Sequence, residues 1–169
     1  VVARCAEGKA LGIPMGAPFF QLQKAIRQHG IVVFSSNYEL YADISARMMA
    51  SIATLVPRIE VYSIDECFAD FTGLTQRTAT AHAIRNRVLQ WTRIPTCVGI
   101  GTSKVLAKLA NHVAKKNKDW NGVCNLVSMD PCSAETLHQA IDVGEIWGIG
   151  RKHSKKLNSL GIHSVMDFV

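Results

Sequence analysis

Three observations on the 169-residue sequence predict an α+β fold. Apolar residues recur at three- and four-residue spacing in several separate stretches, the mark of amphipathic helices. Between them lie short runs of period two, bounded by turn residues, that read as strands. The clearest of these runs fall together near 58–71, and helices interleaved with antiparallel strands make a sheet packed by helices.

Residues 1–34 alternate apolar stretches with Gly12, Pro14, Gly16 and Pro18, predicting helices over 5–11 and 18–29 and a strand over 31–34. Ser36 followed by Glu39 is a capping-box pattern. Tyr41, Ile44, Met48, Ile52 and Leu55 then continue as one helical stripe that ends before Pro57. Ile59 and Val61 alternate with Glu60, and the run from Cys67 to Phe71 is closed by Thr72-Gly73, so two antiparallel strands should meet at or near Asp65-Glu66. A helix over 79–92, a strand over 96–100 and a helix over 103–116 follow, the last carrying Val105, Leu106, Leu109 and Val113 as an apolar stripe. A strand over 123–127 leads into an all-helical tail, with helices over 134–140 and 151–160 and another starting at Ser164.

Composition excludes several classes. An apolar share of 48% against 19% charged, with 12 Gly and 5 Pro, rules out disordered, collagen-like and low-complexity chains. No apolar run approaches the roughly 18 residues of a membrane helix, and no membrane partner is expected. Cys5, Cys67, Cys97, Cys124 and Cys132 are odd in number and form no CxxC pair, and no cleavable leader opens the chain, so a reducing cytoplasm is expected rather than a disulfide framework or thiolate zinc site. The six histidines show no HExxH or HxxxH spacing, which argues against a zinc hydrolase. The chain starts at Val1 without an initiator Met and stops at Val169 inside a predicted helix, and so reads as a fragment. Lys and Arg number 19 against 13 Asp and Glu, a net charge of +6. Lys104, Lys108, Lys115, Lys116 and Lys118 form one basic cluster, and Arg151, Lys152, Lys155 and Lys156 another. Each suits a polyanion or a solvated helix face.

Three motifs could carry chemistry. Tyr62-Ser63-Ile64-Asp65-Glu66 sets two carboxylates side by side at a strand junction. Like charges about 4 Å apart repel by about 4 kcal/mol at an effective dielectric of 20, so such a pair is solvated, shares a proton or binds a cation. Hard oxygens suit Mg²⁺ or Mn²⁺, and a polar hairpin tip is the plain alternative. Gly99-Ile100-Gly101-Thr102-Ser103-Lys104 runs from strand into helix without the spacing of a phosphate loop. It reads as a general anion site or as a turn capped by Thr102 or Ser103. Trp147-Gly148-Ile149-Gly150-Arg151-Lys152 followed by Leu160-Gly161-Ile162 has the pattern of a helix-hairpin-helix element, whose backbone amides contact phosphates, or of a tight interhelical turn.

Ser36-Asn37-Tyr38-Glu39-Leu40-Tyr41, Tyr62-Ser63-Ile64-Asp65-Glu66, Val98-Gly99-Ile100-Gly101 before Lys104-Val105-Leu106-Ala107-Lys108-Leu109-Ala110-Asn111, and Gly148-Ile149-Gly150 occur here in one order. That order resembles the Y-family translesion DNA polymerases across essentially the whole chain. Val2-Ala3-Arg4, Lys9-Ala10-Leu11-Gly12-Ile13 and Trp147 make it most similar to the subgroup of polymerase V catalytic subunits, of UmuC, ImpB and MucB type. The resemblance implies small fingers at 1–35, a palm at 36–126 lacking its first strand, and part of a helix-hairpin-helix thumb at 127–169. It implies that Asp65 and Glu66 help hold two catalytic Mg²⁺ ions, with Mn²⁺ as a substitute. Lys9 and Lys115 would contact the incoming deoxynucleoside triphosphate, and Lys104, Gly148, Gly150 and Lys152 the primer-template DNA. The subgroup adds a damage-induced accessory dimer and a recombinase filament as partners in the SOS response.

The sequence also departs from the family. The aspartate-bearing first strand is not in this chain, nor is the little-finger domain, so the fragment is expected to be inactive alone. Ala6 stands where many relatives have a tyrosine, which fits the polymerase V subgroup, and Cys5 and Gly8 differ from the usual pattern. The competing expectation is a non-enzymatic DNA-binding module that uses the hairpin and the lysine clusters. A metal-dependent phosphohydrolase would need further acidic or histidine ligands that the sequence does not offer.

Overall fold

Turn residues set the ends of the first two helices. Cys5 caps α1 (Ala6–Ala10), its Sγ accepting from the Gly8 amide at 3.4 Å. Pro18, extended and without an amide hydrogen, precedes α2 (Phe19–His29), which Gly30 closes in the left-handed conformation. The computed structural model describes residues 1–169 and divides into two compact units, Val1–Tyr38 and Glu39–Val169. In the first unit the Val1 ammonium donates to the Ala17 carbonyl at 2.9 Å, tying the chain start to the turn before α2. The strand expected over 31–34 does not form, and residues 31–37 are irregular. Two two-stranded sheets use all the strands, and neither includes this run. An apolar β-branched run becomes a strand only beside a chain that offers it hydrogen bonds. Phe34 is 85% exposed.

Helix α3 spans Tyr38–Ala53. Starting at Tyr38 places Asn37, not Ser36, at the capping position, so the expected Ser36–Glu39 capping box is off register. Strands β1 (Ile59–Val61) and β2 (Cys67–Ala69) pair antiparallel with Val61 opposite Cys67, as the alternation predicts. The amides of Tyr62 and Ser63 both donate to the Glu66 carbonyl at 3.0 Å and close the turn. Helix α4 (Arg77–Thr92) buries Ala81, Ile84 and Val88. Ile84 and Val88 join Met48, Met49, Ile52 and Val56 in one core, against which Ile59, Cys67 and Ala69 of the sheet pack.

Strand β3 (Val98–Ile100), helix α5 (Lys104–Lys116) and strand β4 (Val123–Asn125) form a β-α-β unit. Its strands pair parallel, Val98 opposite Val123, and this corrects the expectation of antiparallel strands throughout. A crossover carrying a 13-residue helix is long enough to bring β4 back in the same direction as β3. The glycines of β3 and its exit let the helix come close. A Cβ on Gly99 would lie 2.1 Å from the Asn111 amide nitrogen, and one on Gly101 2.6 Å from that of Ala107. The Gly99–Lys104 run is therefore a close-packed strand-to-helix turn, capped by Ser103 accepting from the Leu106 amide. Leu109, Ala110, Val113 and Ala114 form the buried face of α5, whereas Val105, placed in the stripe by spacing, is exposed. Strand β4 is shorter than expected because Asn125 caps a 3-10 turn, Leu126–Ser128.

The tail is helical, as predicted. Asp130 caps α6 (Pro131–Gln139), with proline in the first turn where its missing amide costs nothing, and the helix so starts earlier than the expected residue 134. A 3-10 turn over Val143–Glu145 precedes α7 (Arg151–Ser159) and α8 (Val165–Phe168). Val143 donates to the His163 carbonyl at 2.8 Å and Val165 to that of Ile141 at 2.9 Å. Ile141 and Val165 also enter the core under α5 and so anchor the tail to the β-α-β unit. No helix is long and apolar enough to cross a membrane.

Candidate active site

The β1–β2 hairpin carries the acidic pair on its turn, as the sequence predicts. Asp65 is exposed and held locally: the Ser63 hydroxyl donates to its Oδ1 at 2.8 Å, and the Asp65 amide lies 3.4 Å from the same hydroxyl oxygen. The Ser45 hydroxyl of α3 donates to the Ile64 carbonyl and pins the turn from below. Glu66 is half-buried, and its Oε1 accepts from the Lys108 Nζ of α5 at 2.6 Å. One turn earlier on α5, Lys104 bonds both carboxylate oxygens of Glu60 at 2.6 Å and places its ammonium 5.1 Å from the Phe68 ring.

An aromatic cluster backs these ion pairs. Tyr62, Phe68 and Trp147 meet with ring centroids 5.4–5.8 Å apart, and the Trp147 indole donates to the Tyr62 hydroxyl at 3.3 Å. The tryptophan that begins the Gly148–Gly150 turn thereby packs on the residue that opens the acidic turn. Lys108 lies 5.2 Å from the Tyr62 ring and 6.0 Å from the Trp147 ring. The sequence places Lys108 in a basic cluster and in the run that resembles the family, and Trp147 at the head of the hairpin motif, without bringing either to the acidic turn. Tyr62 opens the acidic motif and Glu60 and Phe68 lie in the two strands, but the sequence assigns none of them a contact; Lys104 and Lys108 at four-residue spacing are the signal that one helix face turns toward an acidic partner.

Lys115 lies in the last turn of α5, exposed, within about 40° of arc of Lys104 and Lys108 and about 10 Å beyond Lys108 along the axis. Between them His112 meets Glu145 at 3.1 Å, with Lys116 at 3.9 Å from the same carboxylate. Lys9 lies in α1 of the first unit, exposed to solvent. In the tail Gly148 has φ +100, a conformation that needs glycine, while Gly150 caps α7 at φ −84. Of the two glycines, Gly148 alone takes a positive φ. No side chain caps α7, and Lys152 is exposed in its first turn.

The donors on the hairpin suit a hard divalent ion. Mg²⁺ is held by one or two carboxylates completed by water and substrate phosphates, and Asp65 with Glu66 offers such a set. No group of three or more His, Cys, Asp or Glu side chains converges anywhere in the chain.

A sequence model of the impB/mucB/samB family matches residues 1–112. The chain belongs to that family. Protein UmuC of Salmonella typhimurium is 47% identical over 171 residues, covering 99% of this chain and 40% of that protein. DNA polymerase IV of Picrophilus torridus is 34% identical over 161 residues, covering 95% of this chain and 44% of that protein. Among solved structures, an insertion ternary complex of Dbh DNA polymerase aligns with a TM-score of 0.78 at 26% identity over 94% of this chain and 45% of that one. A DinB family error-prone DNA polymerase from Sulfolobus solfataricus aligns with a TM-score of 0.75 at 27% identity over 97% of this chain and 48% of its own. This impB/mucB/samB chain thus has the palm-like α+β fold of Y-family polymerase catalytic regions and spans less than half the length of the relatives it matches.

Proposed function

We propose that the chain supplies the acidic hairpin and part of the nucleic-acid grip of an error-prone DNA polymerase, which adds deoxynucleotides opposite damaged template bases in an SOS-type response. The observation that carries this reading is Asp65-Glu66 on a hairpin braced by α3 and faced by the lysines of α5, in a chain of the impB/mucB/samB family. In this reading residues 1–35 are fingers, 36–126 palm and 127–169 a thumb with a helix-hairpin-helix element. Two Mg²⁺ ions, or Mn²⁺, would when bound activate the primer 3′-hydroxyl and neutralise charge on the reacting phosphate. Asp65 and Glu66 hold carboxylate oxygens where such ions would be received. Lys115 and Lys9 offer positive charge to the triphosphate, while Lys104, the Gly148–Gly150 turn and Lys152 position primer-template DNA through its backbone without reading bases. The family points to a cytoplasmic protein working with an accessory dimer and a recombinase filament. A non-enzymatic DNA-binding module would leave the acidic turn without a role, and nothing observed favours it. The test is primer extension by the full-length protein on a template with one lesion. Extension past the lesion that depends on Mg²⁺ is expected, and arrest at the lesion with normal copying of undamaged template would overturn the translesion reading.

A further inference from the structure

Lys104 and Lys108 are one turn apart on α5 and each pairs with a glutamate of the hairpin, but their surroundings differ. The Lys104–Glu60 pair is largely in solvent, its side chains 49% and 60% exposed. Lys108 is 22% exposed and lies in an aromatic slot, with Tyr62 at 5.2 Å and Trp147 at 6.0 Å, and the Tyr62–Trp147 hydrogen bond fixes those two rings to each other. Its carboxylate partner is Glu66, half of the acidic pair. A cation held between two ring faces and a carboxylate has little freedom to swing away.

We propose that Lys108 is a built-in counter-ion of Glu66, a positioning residue with which a divalent cation must compete. This rests on the reading of Asp65-Glu66 as a cation site. With the ammonium on Oε1, an incoming ion meets a carboxylate that is already paired and must share or displace that contact. The positive charge beside the site weakens binding of a free divalent ion, so occupancy depends on the extra negative charge that a triphosphate brings. The site then fills with metal together with nucleotide and stays poorly loaded without it.

Mn²⁺ binding to the full-length protein, followed by electron paramagnetic resonance without nucleotide and with a non-hydrolysable deoxynucleoside triphosphate, tests this. Lys108→Met keeps the stem and removes the charge. It should tighten nucleotide-free Mn²⁺ binding roughly tenfold, the scale of one unit charge against a divalent ion at about 5 Å in a water-like dielectric. It should also shrink the factor by which the triphosphate strengthens Mn²⁺ binding. Lys108→Arg, which restores the charge, should behave as wild type, and a thermal melt of each variant shows that the fold is intact. In a Glu66→Gln background the gain from Lys108→Met should vanish. Unchanged or weaker nucleotide-free Mn²⁺ binding by Lys108→Met overturns the counter-ion role if Glu66→Gln still loses Mn²⁺; should Met not fold, Mn²⁺ binding by Lys108→Arg that departs from wild type overturns it instead. Should Glu66→Gln bind Mn²⁺ as wild type does, the cation site itself is refuted and the counter-ion role with it.

Discussion

Two glycines two residues apart do different work. Gly148 at φ +100 holds a backbone that side-chain-bearing residues resist, so Gly148→Ala should cost about 1–2 kcal/mol in urea unfolding. Gly150 at φ −84 has open space where a Cβ would go, and Gly150→Ser, able to cap α7, should be neutral or stabilising by about 0.5 kcal/mol. Equal losses at the two positions would contradict this division. Burial sets thiol chemistry in the same local way. Cys124 is fully buried, and burial pushes its thiol up to about 11, so it stays protonated through neutral pH. Iodoacetamide near neutral pH should label the exposed Cys5 and Cys132 and spare Cys124 in the folded protein, as read by peptide mass spectrometry. Labelling of Cys124 as fast as of Cys132 would show that the core under α5 opens readily.

At the scale of elements, legibility followed whether a signal was local. The acidic hairpin was readable because alternation on both sides of Asp65-Glu66 fixes the turn, and the helices were readable from period and caps. What escaped depended on partners far along the chain. Residues 31–34 have strand composition but no neighbouring strand, and the direction of β4 depends on the length of the α5 crossover. Likewise, 42 residues separate Glu66 from Lys108 and 85 separate Tyr62 from Trp147, so no window of sequence shows those contacts. The acidic caps of the tail yield a pH prediction. Asp130 accepts from the Ser133 side chain and amide, and Asp167 from the amides of Ser164 and His163. These bonds hold both carboxyls below their ordinary 3.8 in the folded state, so the unfolded chain binds protons more readily. Their contribution is present above that ordinary value and is lost as pH falls through the lowered folded values. Urea midpoints at about pH 6 and about pH 3 should therefore converge in the Asp130→Asn/Asp167→Asn double variant relative to wild type. An unchanged acid limb would place the acid sensitivity elsewhere.

For the whole molecule, the β1–β2 hairpin, the lysine face of α5 and the Trp147 turn form one connected assembly. Chain segments distant in sequence thus meet at the acidic turn, α5 through Lys108 on Glu66 and the tail through Trp147 on Tyr62. In the proposed function Asp65 and Glu66 serve cation-dependent nucleotide addition and do not hold the fold. Each carboxylate is at least partly exposed, and removing its charge relieves repulsion within the pair, so folding should survive its loss. The most direct measurement is primer extension by the full-length protein carrying Asp65→Asn or Glu66→Gln, alongside a thermal melt of each. Incorporation should fall by about a hundredfold or more, comparable to losing an electrostatic stabiliser of a transition state, with the melting temperature unchanged or raised for Asp65→Asn and lowered for Glu66→Gln by no more than the loss of its one partly exposed pair with Lys108. Near wild-type extension by either folded variant would contradict that role.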